Sequence, residues 1–256
     1  EELRGKLQEL DALQEGIREA TGARGAVLRK ALDAADMFWR DHQDAIRALR
    51  DIQDNLVSQD SPAVDPHTIR QQLAELEAIQ AELQAARAPV AAVRGSAAAL
   101  GELCGVPGRM EVHRQLEELD AALEEIEEGL GERGDELASA LHTAERYEHT
   151  LRAIMSWLPQ AEDKLEHMQP MAADPRTVRI QIEEMKVFKV QVHPRYVDIQ
   201  NLNQYSSDLK NASPITAEAL SPQVKEVNER WNTLLKNIAE RERDLADEMV
   251  KLGEIE

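Results

Sequence analysis

"DPHTIRQQLAELEAIQ" at residues 65–80 returns 109 positions later as "DPRTVRIQIEEMKVFK" at residues 174–189. Both stretches open as a helix opens. Asp65 and Asp174 are placed to cap, because a carboxylate accepts from the free N–H groups of a first turn and favours the positive end of the helix dipole. Pro66 and Pro175 suit the first helical position, where a missing N–H costs nothing and φ is already set. Beyond the cap the apolar positions stay in step: Ile69 with Val178, Leu73 with Ile182, Leu76 with Met185 and Ile79 with Phe188. The chain starts the same helix twice and buries the same stripe twice.

The period extends along the chain. From Val112, apolar residues recur at alternate spacings of four and three through Leu116, Leu119, Leu123, Ile126 and Leu130, then from Leu137 through Tyr147, Leu151, Ile154 and Leu158 to Met168. This is the seam of one very long helix, with Pro159 off the seam as a kink or a weakening end. The same slots 109 residues earlier read Leu3, Leu7, Leu10, Ile17, Leu28, Phe38, Leu49 and Ile52, with Gln14, Thr21 and His42 as polar exceptions. Arg24 and Arg133 hold one slot in the two copies, beside Gly22 and Gly25 in one and Gly131 and Gly134 in the other. A charge on the seam between glycines, each costing roughly 1 kcal/mol of helix propensity, marks a junction where one core ends, the next begins and the helix can bend.

Middle helices are expected from Pro66 to Leu103 and from Pro175 to Ala212, kinked at Pro89 and Pro194. The stretches "CGVPGR" (104–109) and "NASPITAEALSP" (211–222) end them, and Ser221 before Pro222 repeats the cap-then-proline order. The expected fold is all-α: tandem three-helix left-handed coiled-coil bundles, the third helix of one running on as the first helix of the next, joined into an elongated rod.

Composition agrees with this and excludes much else. Aromatic residues make up 3% of the 256 residues, so the cores are aliphatic. The net charge of -19 opposes nucleic acid and anionic membrane surfaces, both of which select basic patches. No apolar run approaches the length of a membrane span. The single Cys104 rules out an internal disulfide and suits a reducing compartment. A first residue other than Met, with no signal peptide, is expected of a piece of a longer chain.

A search for chemistry returns little. Glu124, Glu125, Glu127 and Glu128 lack the Gly-containing loop and alternate ligands of a calcium site and read as a solvated helix face. His142, Glu145 and His149 share a helix face, but zinc wants three or four converging ligands and no second helix offers one. Cys104 is expected in a loop without a partnered basic environment that would activate it. Neither a phosphate-binding glycine loop nor a catalytic triad is present in the sequence. No enzyme, cofactor or metal is expected.

The stretches "YEHTLRAIMSWLPQAEDKL" (147–165), with Tyr147 ten residues before Trp157, and "VKEVNERWNTLLKNIAERERDL" (224–245), with Trp231, resemble the spectrin-repeat family. "FWRDHQDAIRALRDIQDNLVSQDSPAVDPHTIRQQLAELEAI" and "MKVFKVQV" are most similar to the rod of a spectraplakin, the dystonin and microtubule-actin cross-linking factor group. The resemblance implies the end of a preceding repeat's third helix at 1–27 and two repeats at 28–137 and 137–252, with Phe38, Leu49, Leu123, Tyr147, Leu151, Trp157, Leu158 and Trp231 as core. Ala48 and Leu123 stand where the second repeat has Trp157 and Trp231, so the second repeat is expected to be the more stable.

The resemblance further implies a non-catalytic, cytoplasmic rod segment of a cytoskeletal cross-linker, spacing an actin-binding end from a microtubule-binding end. Cytoskeletal or adhesion partners would be reached through the parent chain, and the segment itself is expected to be monomeric. Two alternatives remain. One is a docking module recruiting a cytoskeletal or adhesion partner through Val187 to Tyr196 or the Trp39 surface. The other is a segment for lateral self-association, which would need a second stripe along the whole length.

Overall fold

A computed structural model describes residues 2–213 and 216–253, and every regular element among them is helical. In order these are α1 (Glu2–Val57), α2 (Pro66–Leu103), α3 (Val106–Glu166), α4 (Pro175–Val192), α5 (Arg195–Ala212), a 3-10 turn (Thr216–Leu220) and α6 (Ser221–Gly253). Glu1, expected in the first helical remnant, and the centre of the expected 211–222 break lie outside the described residues. The fold is all-α and made of helical bundles.

Two compact units are present. The first joins the chain up to Gln59 with Ala74–Gly134. Its core takes Phe38, Ala45, Leu49 and Ile52 from α1 and Val112, Leu119, Ile126 and Leu130 from α3. Between them α2 buries Leu76, Ile79, Leu83, Ala86, Val90, Val93, Ala97 and Leu100, at alternate spacings of three and four. That regular heptad runs straight through Pro89, which lies inside α2 without ending it. Ion pairs confirm the direction of packing. Arg87 reaches Glu127 at 2.6 Å and Arg94 reaches Asp120 at 2.6 Å, so α2 rises as α3 falls.

The second unit joins Asp60–Leu73 with the chain from Asp135 onward. Here α3 supplies Leu137, Ala144, Tyr147, Ile154 and Leu158, α4 and α5 supply Met185, Phe188 and Leu202, and α6 supplies Val227, Trp231 and Leu234. Lys189 pairs with Glu242 at 2.8 Å, and Asn203 and Asn228 exchange amide hydrogen bonds, which sets α6 antiparallel to α4 and α5. Arg230 grips Glu162 with two nitrogens at 3.0 and 2.6 Å. The residues Asp60–Leu73, which the 109-residue period assigns to the first bundle, pack with this unit, and the Arg70 guanidinium bonds the Glu145 carboxylate.

Two breaks differ from the expectation. The helix expected from Pro175 to Ala212 is two helices, because Pro194 has no N–H to give to the carbonyl of Val190. The chain keeps helical dihedrals there (His193 φ -53°, Pro194 φ -61°), so the ladder is interrupted more than the path. The expected break at 104–109 shrinks to Cys104 and Gly105, since Pro107 falls in a first turn that needs no donor from it. α3 itself runs through Pro159 to Glu166, close to the end of the expected seam.

His42 occupies the α1 slot that Leu151 occupies 109 residues later. It is buried, and among the described residues its Nε2 has no hydrogen-bond partner. Desolvation holds its pKa below the ordinary value, against smaller opposing pulls from the Glu118 carboxylate and the Gln115 backbone. A group whose pKa is depressed on folding gives stability that is complete above its unfolded pKa, about 6.5, and is lost as pH falls through the folded value. His42→Leu removes both the orphaned nitrogen and this linkage. It is expected to raise stability by about 1–2 kcal/mol at neutral pH, with a gap over wild type that widens toward pH 5 in urea denaturation. A gap that does not change with pH would remove the role given to His42.

Two glycines of α3 separate packing from propensity. A Cβ on Gly131 would meet nothing within 4 Å, whereas one on Gly129 would lie 3.1 Å from Leu56 Cδ2. Gly131→Ala is therefore expected to stabilise the helix by roughly 1 kcal/mol, and Gly129→Ala to gain less or lose, as read by thermal melting of the two variants.

Candidate functional site

The duplicated helix start is capped by its own aspartate in both copies. Asp65 Oδ1 accepts from the Thr68 backbone N–H at 2.8 Å, and Asp174 Oδ1 accepts from those of Arg176 at 3.1 Å and Thr177 at 2.9 Å. Hydrogen bonding from Thr68 and from Thr177 is the main cause that lowers the two carboxyl pKa values. Both caps thus add stability above their unfolded pKa that disappears as pH falls through the lowered folded one.

One turn further on, a glutamine in each copy folds back onto the incoming loop. Gln72 accepts from the Ala63 N–H at 2.9 Å and donates to the carbonyl of Ser61 at 2.9 Å. Gln181 accepts from the Ala172 N–H at 3.2 Å and donates to the carbonyls of Pro170 at 2.7 Å and Gln169 at 3.4 Å. Each side-chain amide uses both its ends to hold a loop whose own backbone has no ladder to join. Reading for apolar stripes and caps passes over these residues. The signal that finds them is the period itself, which aligns Gln72 with Gln181 and their loop partners with one another.

The residues expected to form the core fall into two groups. Phe38, Leu49, Tyr147, Leu158 and Trp231 are buried, while Leu123, Leu151 and Trp157 are half-buried. The Trp157 and Trp231 rings lie 6.3 Å apart, with the Arg195 guanidinium 5.5 Å from the Trp157 ring. Tyr147 extends its hydroxyl toward Gln223 at 3.4 Å, and burial raises its pKa. Among the expected junction residues, Gly22, Arg24 and Gly131 are exposed, while Gly25, Arg133 and Gly134 are half-buried. Arg133 reaches Gln59 at 3.4 Å, and α3 passes through its glycines unbroken.

The two candidate docking surfaces are both partly open. Trp39 is 40% exposed, edge-on to Phe38 at 5.2 Å. Val187, Val190 and Tyr196 are exposed, while Phe188 and Val192 between them are buried. His142, Glu145 and His149 lie exposed along α3, with Glu145 bonded to Arg70. Among the described residues no group of three His, Cys, Asp or Glu side chains could hold a metal, and no helix is long and apolar enough to cross a membrane.

Residues 33–139 and 142–247 each match the family model of the spectrin repeat. The chain belongs to the spectrin-repeat family. Its likeness within that family is to spectraplakins. Microtubule-actin cross-linking factor 1, isoforms 6/7, of Mus musculus and of Homo sapiens are each 30% identical over 257 residues, covering 100% of this chain but only 8% and 7% of theirs. The Rattus norvegicus microtubule-actin cross-linking factor 1 is 29% identical, again over all of this chain and 5% of its own length. The spectrin repeats matched here are thus a small part of those relatives.

Gln181→Ala is expected to cost the second spectrin repeat about 0.5–1.5 kcal/mol, since it removes the bonds that hold the loop. Amide exchange at Ala172 should quicken while exchange in the middle of α6 changes only by the global loss. Unchanged protection at Ala172 would show that the glutamine does not hold the loop.

Proposed function

We propose that this chain is a non-catalytic structural segment of a large cytoskeletal cross-linker, acting in the cytoplasm to space and mechanically couple an actin-binding end and a microtubule-binding end of its parent. The observation that carries the reading is the use of α3. One uninterrupted helix gives Val112, Leu119 and Ile126 to the first core and Leu137, Tyr147 and Leu158 to the second. Tension along such a helix loads both cores, and repeats that share helices respond as coupled neighbours. The names of the relatives, which join microtubules and actin, support the cytoskeletal setting.

The junctions at Gly22, Arg24 and Gly25 and at Gly131, Arg133 and Gly134 are the points at which the segment bends. The repeats span 28–137 and 137–252, with 1–27 closing an earlier bundle, and the segment works as a monomer. Partners are cytoskeletal or adhesion proteins held by the rest of the parent chain.

Deleting these 256 residues from the full-length parent tests the reading. Co-sedimentation with actin and with microtubules is expected to persist, while the gap between cross-linked filaments narrows in electron micrographs. Loss of either filament after the deletion would overturn the spacer reading. In force extension of the segment itself, two unfolding events are expected, the weaker from the first repeat, where Ala48 and Leu123 replace the tryptophan pair.

A further inference from the structure

The outer face of α4 and α5 carries a second seam. Ile180, Glu183, Val187, Val190, Pro194 and Val197 follow one another at alternate spacings of three and four, the spacing of a coiled-coil contact line. All six are exposed, Ile180 at 59%, Val187 at 57% and Val190 at 73%. They lie away from the buried positions Val178, Met185, Phe188 and Val192 of the same helix. The line is unbroken from Ile180 to Val190; past it His193 and Pro194 keep helical dihedrals, while Tyr196 and Val197 donate to carbonyls only three residues back, which tightens that one turn.

The first repeat supplies an internal comparison. Its corresponding slots hold Gln71, Ala74, Ala78, Ala81, Ala85 and Ala88, all exposed. Alanine is the better helix former and presents little apolar surface to water, whereas β-branched residues cost propensity. Folding therefore asks for no large apolar residue along this line, and the second repeat places isoleucine and valines there.

Charge on the two flanks says what fits. Arg179, Lys186 and His193 border one side of the seam, where Lys186 turns to Glu183 at 2.7 Å, and Glu184 and Asp198 border the other, where Asp198 is held by Arg195 at 3.0 Å. Both pairs join near neighbours on one helix and keep a third or more of each side chain in water, so they are weak enough for a docking helix to exchange. Next to it, the end of α3 and α4 form a groove of about 790 Å³ in which Met168, Ile180 and Val187 offer an apolar floor beside Lys164 and His167. A second copy of this chain is a poor occupant. Parallel pairing would set Glu183 against its twin inside the seam, and antiparallel pairing would set each charged flank against itself.

We propose that this face docks an amphipathic helix of a partner protein. That helix has an apolar heptad seam, acidic residues over Arg179 and Lys186, basic residues over Glu184 and Asp198, and a lysine or arginine in the seam over Glu183. The site goes beyond the structural role and does not rest on it, since a spacer needs no outward seam.

The test uses the intact 256-residue chain and synthetic amphipathic helical peptides with a leucine seam, made in both flank orders to suit either helix direction. Each carries either lysine or glutamate at the seam slot over Glu183. Fluorescence anisotropy is expected to show the lysine peptide of one flank order binding at least tenfold tighter than its glutamate partner, with Glu183→Lys reversing that preference. The double change Val187→Ala with Val190→Ala, which copies the first repeat and should not lower the melting temperature, is expected to weaken binding at least tenfold. Peptides that bind neither protein, or that bind the alanine variant as well as wild type, would overturn the site. A wild-type dimer in sedimentation equilibrium that the alanine changes dissolve would overturn the choice of a partner helix in favour of a second copy.

Discussion

Everything in this chain depends on one helix having to bury its stripe against two successive sets of partners. An α-helix of 3.6 residues per turn drifts slowly against a strict seven-residue repeat, so a long seam can stay on one side only if the packing winds with it or the seam is handed over. α3 does the latter around Arg133, where a long cationic side chain replaces an apolar one and glycines stand on either side. Hydrophobic burial on each side of that point sets where a core can be. The Arg87–Glu127 and Arg94–Asp120 pairs, with about half of each side chain in water, set direction and register more than stability.

Much of this is legible without coordinates. A duplicated Asp-Pro start locates two helices because capping and proline geometry are local effects, and the limits of α2 fall where the residues place them. The seam of α3 is legible because burial follows spacing when a helix packs along its length. Where reading by residue type falls short, the cause is tertiary or a matter of degree. Proline interrupts a hydrogen-bond ladder without saying whether the path bends, so Pro159, Pro89 and Pro194 look alike in sequence and act differently. His42 reads as a blemish on a stripe, and only its surroundings reveal a buried nitrogen with no hydrogen-bond partner among the described residues.

The candidate surfaces show the same division. Val187, Val190 and Tyr196 can be seen in sequence as an unusual apolar cluster, but their sorting into outward and inward faces needs the helix to be placed. Gln72 and Gln181 look ordinary, as polar residues on polar helices. Their importance lies in what the incoming loop lacks, namely partners for its own backbone, and absence of that kind is not written in a residue type.

The seating of Asp60–Leu73 with the second unit bears on how such a chain can be divided. Ile69 is fully buried and Arg70 is bonded to Glu145, so the first turns of α2 complete their packing on residues beyond 134. A cut drawn at residue 137, where the period would put it, leaves that helix start with an uncovered isoleucine and an unmatched guanidinium. The sequence repeat and the smallest piece that folds without loss are therefore different lengths, and the second overlaps its neighbour.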